Sequence, residues 1–297
     1  VAPGDTVHLH VSTRRRAYYR IAIYRIGWYR GAGGRRIGCI PGCAADRLGT
    51  VESIPSPDAA TGLLQLSWPV TDKFLVGRNW PNGYYLANLT LTRGRTAGRG
   101  SWVPFVVRAP ATQASAILVQ AAVNTWQAYN RWGGRSLYWN HTGVGNDHVS
   151  FDRPYEQSGA PRYAGRAANL PQAWEFPLVR FLERFGYDVS YTTDVDTDRN
   201  PAELLRHHLV MSAGHDEYWT TTMRTAYERA RDANVAALKQ CGHKQCEIVH
   251  KFKNGCAALA DGPKIQAAAS GVTINSKFDT SPCSLKTISE VVPTALP

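Results

Sequence analysis

Short stretches in which apolar and polar residues alternate, or in which apolar residues run together, fill the first third of the chain. They fall at residues 6–11 (TVHLHV), 19–24 (YRIAIY), 63–68 (LLQLSW), 83–91 (GYYLANLTL) and 102–107 (WVPFVV). A period of two is that of a strand with one face buried. Gly, Pro, Asp and Asn cluster between the stretches, where tight turns require them. No helical stripe interrupts the region, so it predicts an all-β unit of about 100 residues, an immunoglobulin-like sandwich with a barrel as the alternative. The segment RAPATQAS, residues 108–115, has no bulky apolar residue and carries a proline, which marks a linker and a domain boundary.

Beyond residue 115 the pattern alternates: strands at 116–120, 188–191 and 208–212, helices at 174–185, 201–206 and 219–233. In the first of these helices Phe176, Val179, Phe181 and Leu182 form a broad apolar face, and Gly186 supplies the stop. Strand-helix alternation predicts an open parallel α/β sheet. In such sheets ligands gather beyond the carboxyl ends of the strands, where strand order reverses. Those ends are residues 121–132, 192–196 and 213–218. The chain thus divides into a sandwich at 1–108, a partial α/β unit at 109–235, and a cysteine-containing tail at 236–297.

Composition sharpens the picture. With 43% hydrophobic residues in 297, there is ample material for buried cores and no case for global disorder. No apolar run reaches 18 residues, so no bilayer-spanning helix is expected. The chain starts at Val1 without a charged-then-apolar leader, as expected of a mature or trimmed protein. Cys39 and Cys43 bracket a Pro-Gly turn in CIPGC and are expected to form a disulfide, which places the protein in an oxidising compartment. Cys241, Cys246, Cys256 and Cys283 can pair in three ways that spacing does not separate.

A net charge of +11 raises the question of nucleic acid, anionic lipid or acidic polysaccharide, but the arginines are dispersed and no recognition helix or stacking platform accompanies them. Nucleic acid is therefore not expected as a partner. Every arginine lies at or before Arg231, whereas every lysine except Lys73 lies after residue 235. This switch points to two segments of different origin.

The densest polar cluster is SAGHDEYW, residues 212–219, at a strand end and a helix start. His215 and Glu217 lie two residues apart there and can both face one cleft as ligand, base or orienting group, while Asp216 or Glu217 can alternatively cap the following helix. A second constellation, NTWQAYNRWGG at 124–134 with FDRPY at 151–155, loads the loops after the first α/β strand with aromatics and amides. Tyrosine hydroxyls beside a carboxylate suit a hard trivalent metal, since only a strong Lewis acid draws off a phenolic proton.

The strings PGDTVHLHVST, IAIYRIGWYRGAGGRR and WPVTDKFLVGRNWPNGYYLANL resemble the sandwich attached to catalytic domains of the N,N-dimethylformamidase large-subunit family. ILVQAAVNTWQAYNRWGGRSLY, VSFDRPY, EFPLVRFLERFGYDVSYTTDVD and LVMSAGHDEYWTTTMRTAYERARDAN resemble the catalytic domain itself. The resemblance implies a mononuclear Fe(III) site of two tyrosinates and one glutamate that hydrolyses a small linear amide. Glu217 takes the glutamate position and His215 the adjacent catalytic histidine. Tyr129 of QAYN takes the first tyrosine position, and Tyr155 of FDRPY is preferred to Tyr138 for the second. The family's further strand with a Gly- and Asn-rich end, and its later glutamate base, have no counterpart. The tail ALKQCGHKQCEIVHKFKNGCAALA instead resembles part of a small secreted domain of unknown function from actinobacterial envelope proteins.

Two functions follow. One is a secreted, periplasmic or envelope amide hydrolase with a small amide substrate. The other is a non-catalytic envelope protein that binds acidic glycans or partner proteins, as a monomer or an oligomer, through the sandwich and a degenerate α/β unit.

Overall fold

A computed structural model describes residues 1–138, 148–156, 175–212, 214–241, 245–249, 264–267 and 272–275; from residue 236 onward the description concerns the backbone alone. The fold is mixed α/β. Its N-terminal part contains β1 (Thr6–Leu9), β2 (Tyr18–Ile26), β3 (Gly34–Ile40), β4 (Arg47–Leu48), β5 (Asp72–Leu75), β6 (Gly83–Leu91) and β7 (Gly100–Val107). One antiparallel sheet has the order β3-β2-β6-β7 with β4 paired to β2, and a two-stranded antiparallel ribbon joins β1 to β5.

Alternation decides which side chains meet. In β2, Tyr19, Ile21 and Ile23 point to one face, and with Tyr85 and Ala87 of β6 they form a core under Leu9, Val11 and Val76 from the β1–β5 side. The expected alternating runs at 19–24, 83–91 and 102–107 are strands. The run at 63–68 is irregular instead: Leu66 N–H donates to Asp152 O at 2.9 Å, and Leu64 is buried against Gly133. Its apolar residues pack on a loop of the α/β half and take no ladder partner. The Cys39–Cys43 disulfide is formed.

The second part contains β8 (Ile117–Ala121), α1 (Val123–Tyr129), α2 (Phe176–Arg184), β9 (Val189–Thr193), α3 (Asp194–Arg199), β10 (Leu209–Ser212), α4 (Thr221–Asp232), β11 (Ala236–Cys241) and β12 (Gln245–Val249). Residues 201–206, expected as an α-helix, form a 3-10 turn begun by Pro201. The sheet order is β12-β11-β10-β8-β9, with β9, β8, β10 and β11 mutually parallel and β12 antiparallel at the edge. A further antiparallel pair, β13 (Lys264–Ala267) and β14 (Val272–Asn275), lies in the tail. The tail cysteines fall outside the described side chains.

Every residue of β8 is buried, as a central parallel strand covered on both faces requires. On one face Val119 and Ala121 pack with Val179 and Leu182 of α2 and with Ile26, Tyr84 and Val106 of the N-terminal sheet. On the other, Leu118 and Val210 pack beneath Ala226, Tyr227 and Ala230 of α4. The two parts of the chain therefore share a core. Arg25 of β2 reinforces it through ion pairing with Glu183 of α2 at 2.7 Å.

The chain steps from β8 outward to β9 and then returns past β8 to β10. Strand order reverses between β8 and β10, and in open parallel sheets ligands gather beyond the carboxyl ends of the strands at such a reversal. The described segments that follow those two strands are α1 and residues 214–219.

Candidate functional site

Helix α1 has no side-chain cap of its own, but Asp194, at the start of α3, accepts Asn124 N–H at 2.9 Å and so satisfies one of its first N–H groups. Gln120 of β8 ties this corner to the β10 loop. Its amide donates to Asp194 Oδ1 at 2.9 Å and to Asp216 Oδ2 at 3.1 Å, and its oxygen accepts from Thr197 at 2.6 Å. Ser212 also donates to Asp216, which is 1% exposed. Asp216 is thus a buried anchor of the loop. It does not cap α4, because Thr220 does: its hydroxyl accepts Met223 N–H at 3.0 Å.

With Asp216 turned inward, the residues on either side turn outward. Thr125 Oγ1 of α1 accepts the N–H groups of Glu217 at 2.8 Å and Tyr218 at 3.3 Å, and Asn124 donates to Tyr218 O at 3.1 Å. This holds Glu217 over the C-terminal end of α1, where Tyr129 ends the helix. Tyr129 donates to Glu217 Oε2 at 2.8 Å, and Tyr138 donates to Oε1 at 2.7 Å. His215 Nε2 stands 2.9 Å from Glu217 Oε2 and 3.0 Å from the Tyr129 hydroxyl. Tyr218 donates in turn to Tyr138. The rings of Tyr129 and Tyr138 lie 4.4 Å apart.

Of the four residues singled out from the sequence, three meet here: Tyr129, His215 and Glu217. Tyr155 lies elsewhere, its ring edge on Trp126 at 6.4 Å and its hydroxyl hydrogen-bonded to Gln127. The second phenol on Glu217 is Tyr138. The neighbouring Arg153 of FDRPY is a buried staple, donating to the carbonyls of Arg135 at 2.7 Å, Gln127 at 2.9 Å and Trp132 at 3.2 Å. Burial lowers its pKa to about 10. Gln120, Thr125, Tyr218 and Arg153 were not identifiable from sequence as builders of this site, because each acts through a partner distant in the chain.

The electrostatics follow from partial burial. Burial pushes the phenols of Tyr129, Tyr138 and Tyr218 well above the ordinary tyrosine value, so they stand as protonated donors. For Glu217 burial works against ionisation, but hydrogen bonds from His215, Tyr138 and Tyr129 outweigh it and hold the carboxyl below its usual range. The result is one carboxylate with a phenol on each oxygen and an imidazole at its edge.

Among the described residues no group of three or more His, Cys, Asp or Glu forms a metal cage. The donors gathered here are instead two phenolic oxygens and a carboxylate, a hard-oxygen set that fits a trivalent cation once the phenolic protons leave. Among the described residues no helix is long and apolar enough to cross a membrane.

A family model described as N,N-dimethylformamidase beta subunit-like, C-terminal, matches residues 20–243. A second, described as a domain of unknown function, matches residues 212–281. The two overlap at 212–243, from the last residue of β10 through α4 and β11, so the first match continues past the arginine-to-lysine switch. No curated protein matches the chain.

Proposed function

The chain belongs to the N,N-dimethylformamidase beta subunit-like family, and we propose on that premise that it hydrolyses the C–N bond of a small amide at the Tyr129–Tyr138–Glu217 cluster. The observation that carries this reading is the pair of phenols on the two oxygens of Glu217, with His215 at 2.9 Å, at the strand-order reversal. Tyr129, Tyr138 and Glu217 would hold Fe(III). When bound, such an ion supplies Lewis acidity toward a carbonyl oxygen and toward water.

The residues of the chain do the rest. His215 is 43% exposed at its side chain and reaches the mouth of the cluster. It accepts a proton from the attacking water as the new C–O bond forms, and returns it to the nitrogen as the C–N bond breaks, leaving a carboxylic acid and an amine. Tyr218 fixes the orientation of Tyr138, and Thr125 fixes the backbone of Glu217. Burial of Asp216 keeps a second carboxylate from competing for the cation.

The same reading covers the setting. The Cys39–Cys43 disulfide supports a secreted, periplasmic or envelope location. An immunoglobulin-like sandwich is supported by the order β3-β2-β6-β7 opposite β1-β5, the C′-C-F-G and B-E pairing of that class. It is supported also by Tyr85, near the start of β6, whose hydroxyl donates to Pro81 O four residues back at 2.6 Å, as in a tyrosine corner.

The test is the iron content of the purified chain after ferric loading, its visible spectrum, and amine release from short linear amides. Near-stoichiometric iron with a phenolate charge-transfer band and amine release is the expected result. A folded sample that retains no iron and shows no band would overturn the assignment.

A further inference from the structure

At the end of the N-terminal sheet remote from the α/β half, the β1–β2 loop and the β6–β7 hairpin enclose a groove of about 910 Å3. Strand β6 sets the separation: Tyr84 at its start belongs to the shared core, while Leu91 at its end lines the groove. Seven strand residues at ~3.3 Å each place them roughly 23 Å apart. The groove is therefore distinct from the Glu217 cluster.

Its rim carries Arg14 and Arg15 on one loop and Arg95 and Arg99 on the other, and among the described residues no Asp or Glu lines it. Both loops are framed by backbone hydrogen bonds. Gly98 N–H donates to Leu91 O at 2.8 Å and Leu91 N–H to Arg99 O at 2.8 Å across the hairpin, and Thr13 N–H donates to Thr50 O at 2.8 Å in the other loop.

Neighbouring arginines are neutralised. Arg93 pairs with Asp46 at 2.8 Å, and Arg47 pairs at 2.7 Å with Asp72, the carboxylate that also accepts from Tyr19. Among the described residues Arg14, Arg15, Arg95 and Arg99 have no ion-pair partner. Like charges gathered on one concave surface repel each other, and an anionic ligand relieves that repulsion.

Two features of the lining favour one class of anion. The aromatic residue present, Tyr19, is 2% exposed and its hydroxyl is engaged by Asp72, so no stacking platform for nucleobases is offered. Thr90, Thr96 and Ser101 instead contribute hydroxyl-bearing residues to the same lining as the arginines, whose planar guanidinium forks match carboxylates. We propose that this groove binds an acidic oligosaccharide of the uronate type, with its carboxylates on Arg14, Arg15, Arg95 and Arg99 and its hydroxyls on the Ser and Thr side chains. The site is independent of the amide-hydrolase reading.

The test is titration of the full chain with a fluorescently tagged oligogalacturonate, at several salt concentrations. Binding that weakens with salt is expected, together with about a tenfold loss of affinity in Arg95→Ala/Arg99→Ala. A control change at an ion-paired arginine on α4, Arg224→Ala, is expected to bind as the parent does. Arg14→Gln/Arg15→Gln, on the opposite loop, should show the same loss and serves if the hairpin variant does not fold. The proposal is overturned if the parent does not bind, or if these variants bind as tightly as the parent. It is equally overturned if an uncharged dextran oligosaccharide, a charge-matched oligothymidylate or anionic lipid vesicles bind as well as the uronate.

Discussion

The hydroxyl of Tyr138 donates to Glu217 Oε1 at 2.7 Å across 79 residues of chain, while Tyr155, in a more conspicuous motif, turns its ring to Trp126. The first contact assigns the second phenol of the cluster. Tyr138→Phe is therefore expected to lose the visible charge-transfer band and most retained iron, and Tyr155→Phe to keep both. Metal analysis of the two variants side by side decides it; retention by the Tyr138 variant and loss by the Tyr155 variant would reverse the assignment.

Glu217 holds its place through its backbone as much as through its carboxylate. Thr125, fully buried, accepts the N–H groups of both Glu217 and Tyr218 through one hydroxyl oxygen. Thr125→Val keeps the shape and removes the acceptor, leaving these N–H groups without that partner, at about 1–3 kcal/mol. The expected outcome is a chain that still unfolds cooperatively, with a modestly lower Tm and weakened iron retention. Unchanged retention in that variant would mean that the loop holds Glu217 by other contacts.

Arg25 and Glu183 tie the N-terminal sheet to α2. Glu183 accepts from Arg25 at 2.7 Å, from Trp28 N–H at 3.1 Å and from Tyr191 at 3.2 Å, with 19% of its side chain exposed. Removing it leaves a mostly buried guanidinium uncompensated, a loss of about 3–5 kcal/mol for pairs of this kind. Glu183→Ala is expected to lower stability by that order in denaturant titration. A loss under about 1 kcal/mol would indicate that water replaces the carboxylate.

The sequence made the GHDEYW loop legible because its information is local: a strand, a glycine, a run of polar residues and a capped helix follow each other directly. The alternating strands β2, β6 and β7 were legible for the same reason. Helix α1 was not, because VNTWQAY buries Asn124, Thr125, Trp126, Gln127 and Ala128 together and shows no polar face. Helix α3, DVDTDR, carries almost no apolar residue and is held by the Thr193 cap, which accepts Asp196 N–H at 3.1 Å. Strand β3, GRRIGCI, places two arginines ahead of its apolar residues and a glycine among them and buries no residue fully, and so lacks the apolar run that marks a strand. The choice between Tyr138 and Tyr155 depends on how Arg153 folds the loops after α1, which is tertiary information that no spacing carries.

Glu175, one residue before α2, makes stability depend on pH. It is 1% exposed, accepts Trp126 Nε1–H at 2.9 Å, and is pushed by burial up to about 8 from an ordinary value of 4.5. Below pH 4.5 the folded and unfolded chains both hold this proton, and the group is neutral to stability. Between 4.5 and 8 the unfolded chain has released it and the folded chain has not, so stability falls as pH rises. The slope approaches about 1.4 kcal/mol per pH unit inside that window, a few kcal/mol in all, and the effect levels off above pH 8. Glu175→Gln keeps the hydrogen bond from Trp126 and cannot ionise. Chemical denaturation from pH 5 to 9 should show the variant gaining on the parent through the window and holding a constant lead beyond it. Parallel pH profiles for the two proteins would mean that Glu175 is ionised in the folded chain at neutral pH, with its charge met by a partner or by solvent.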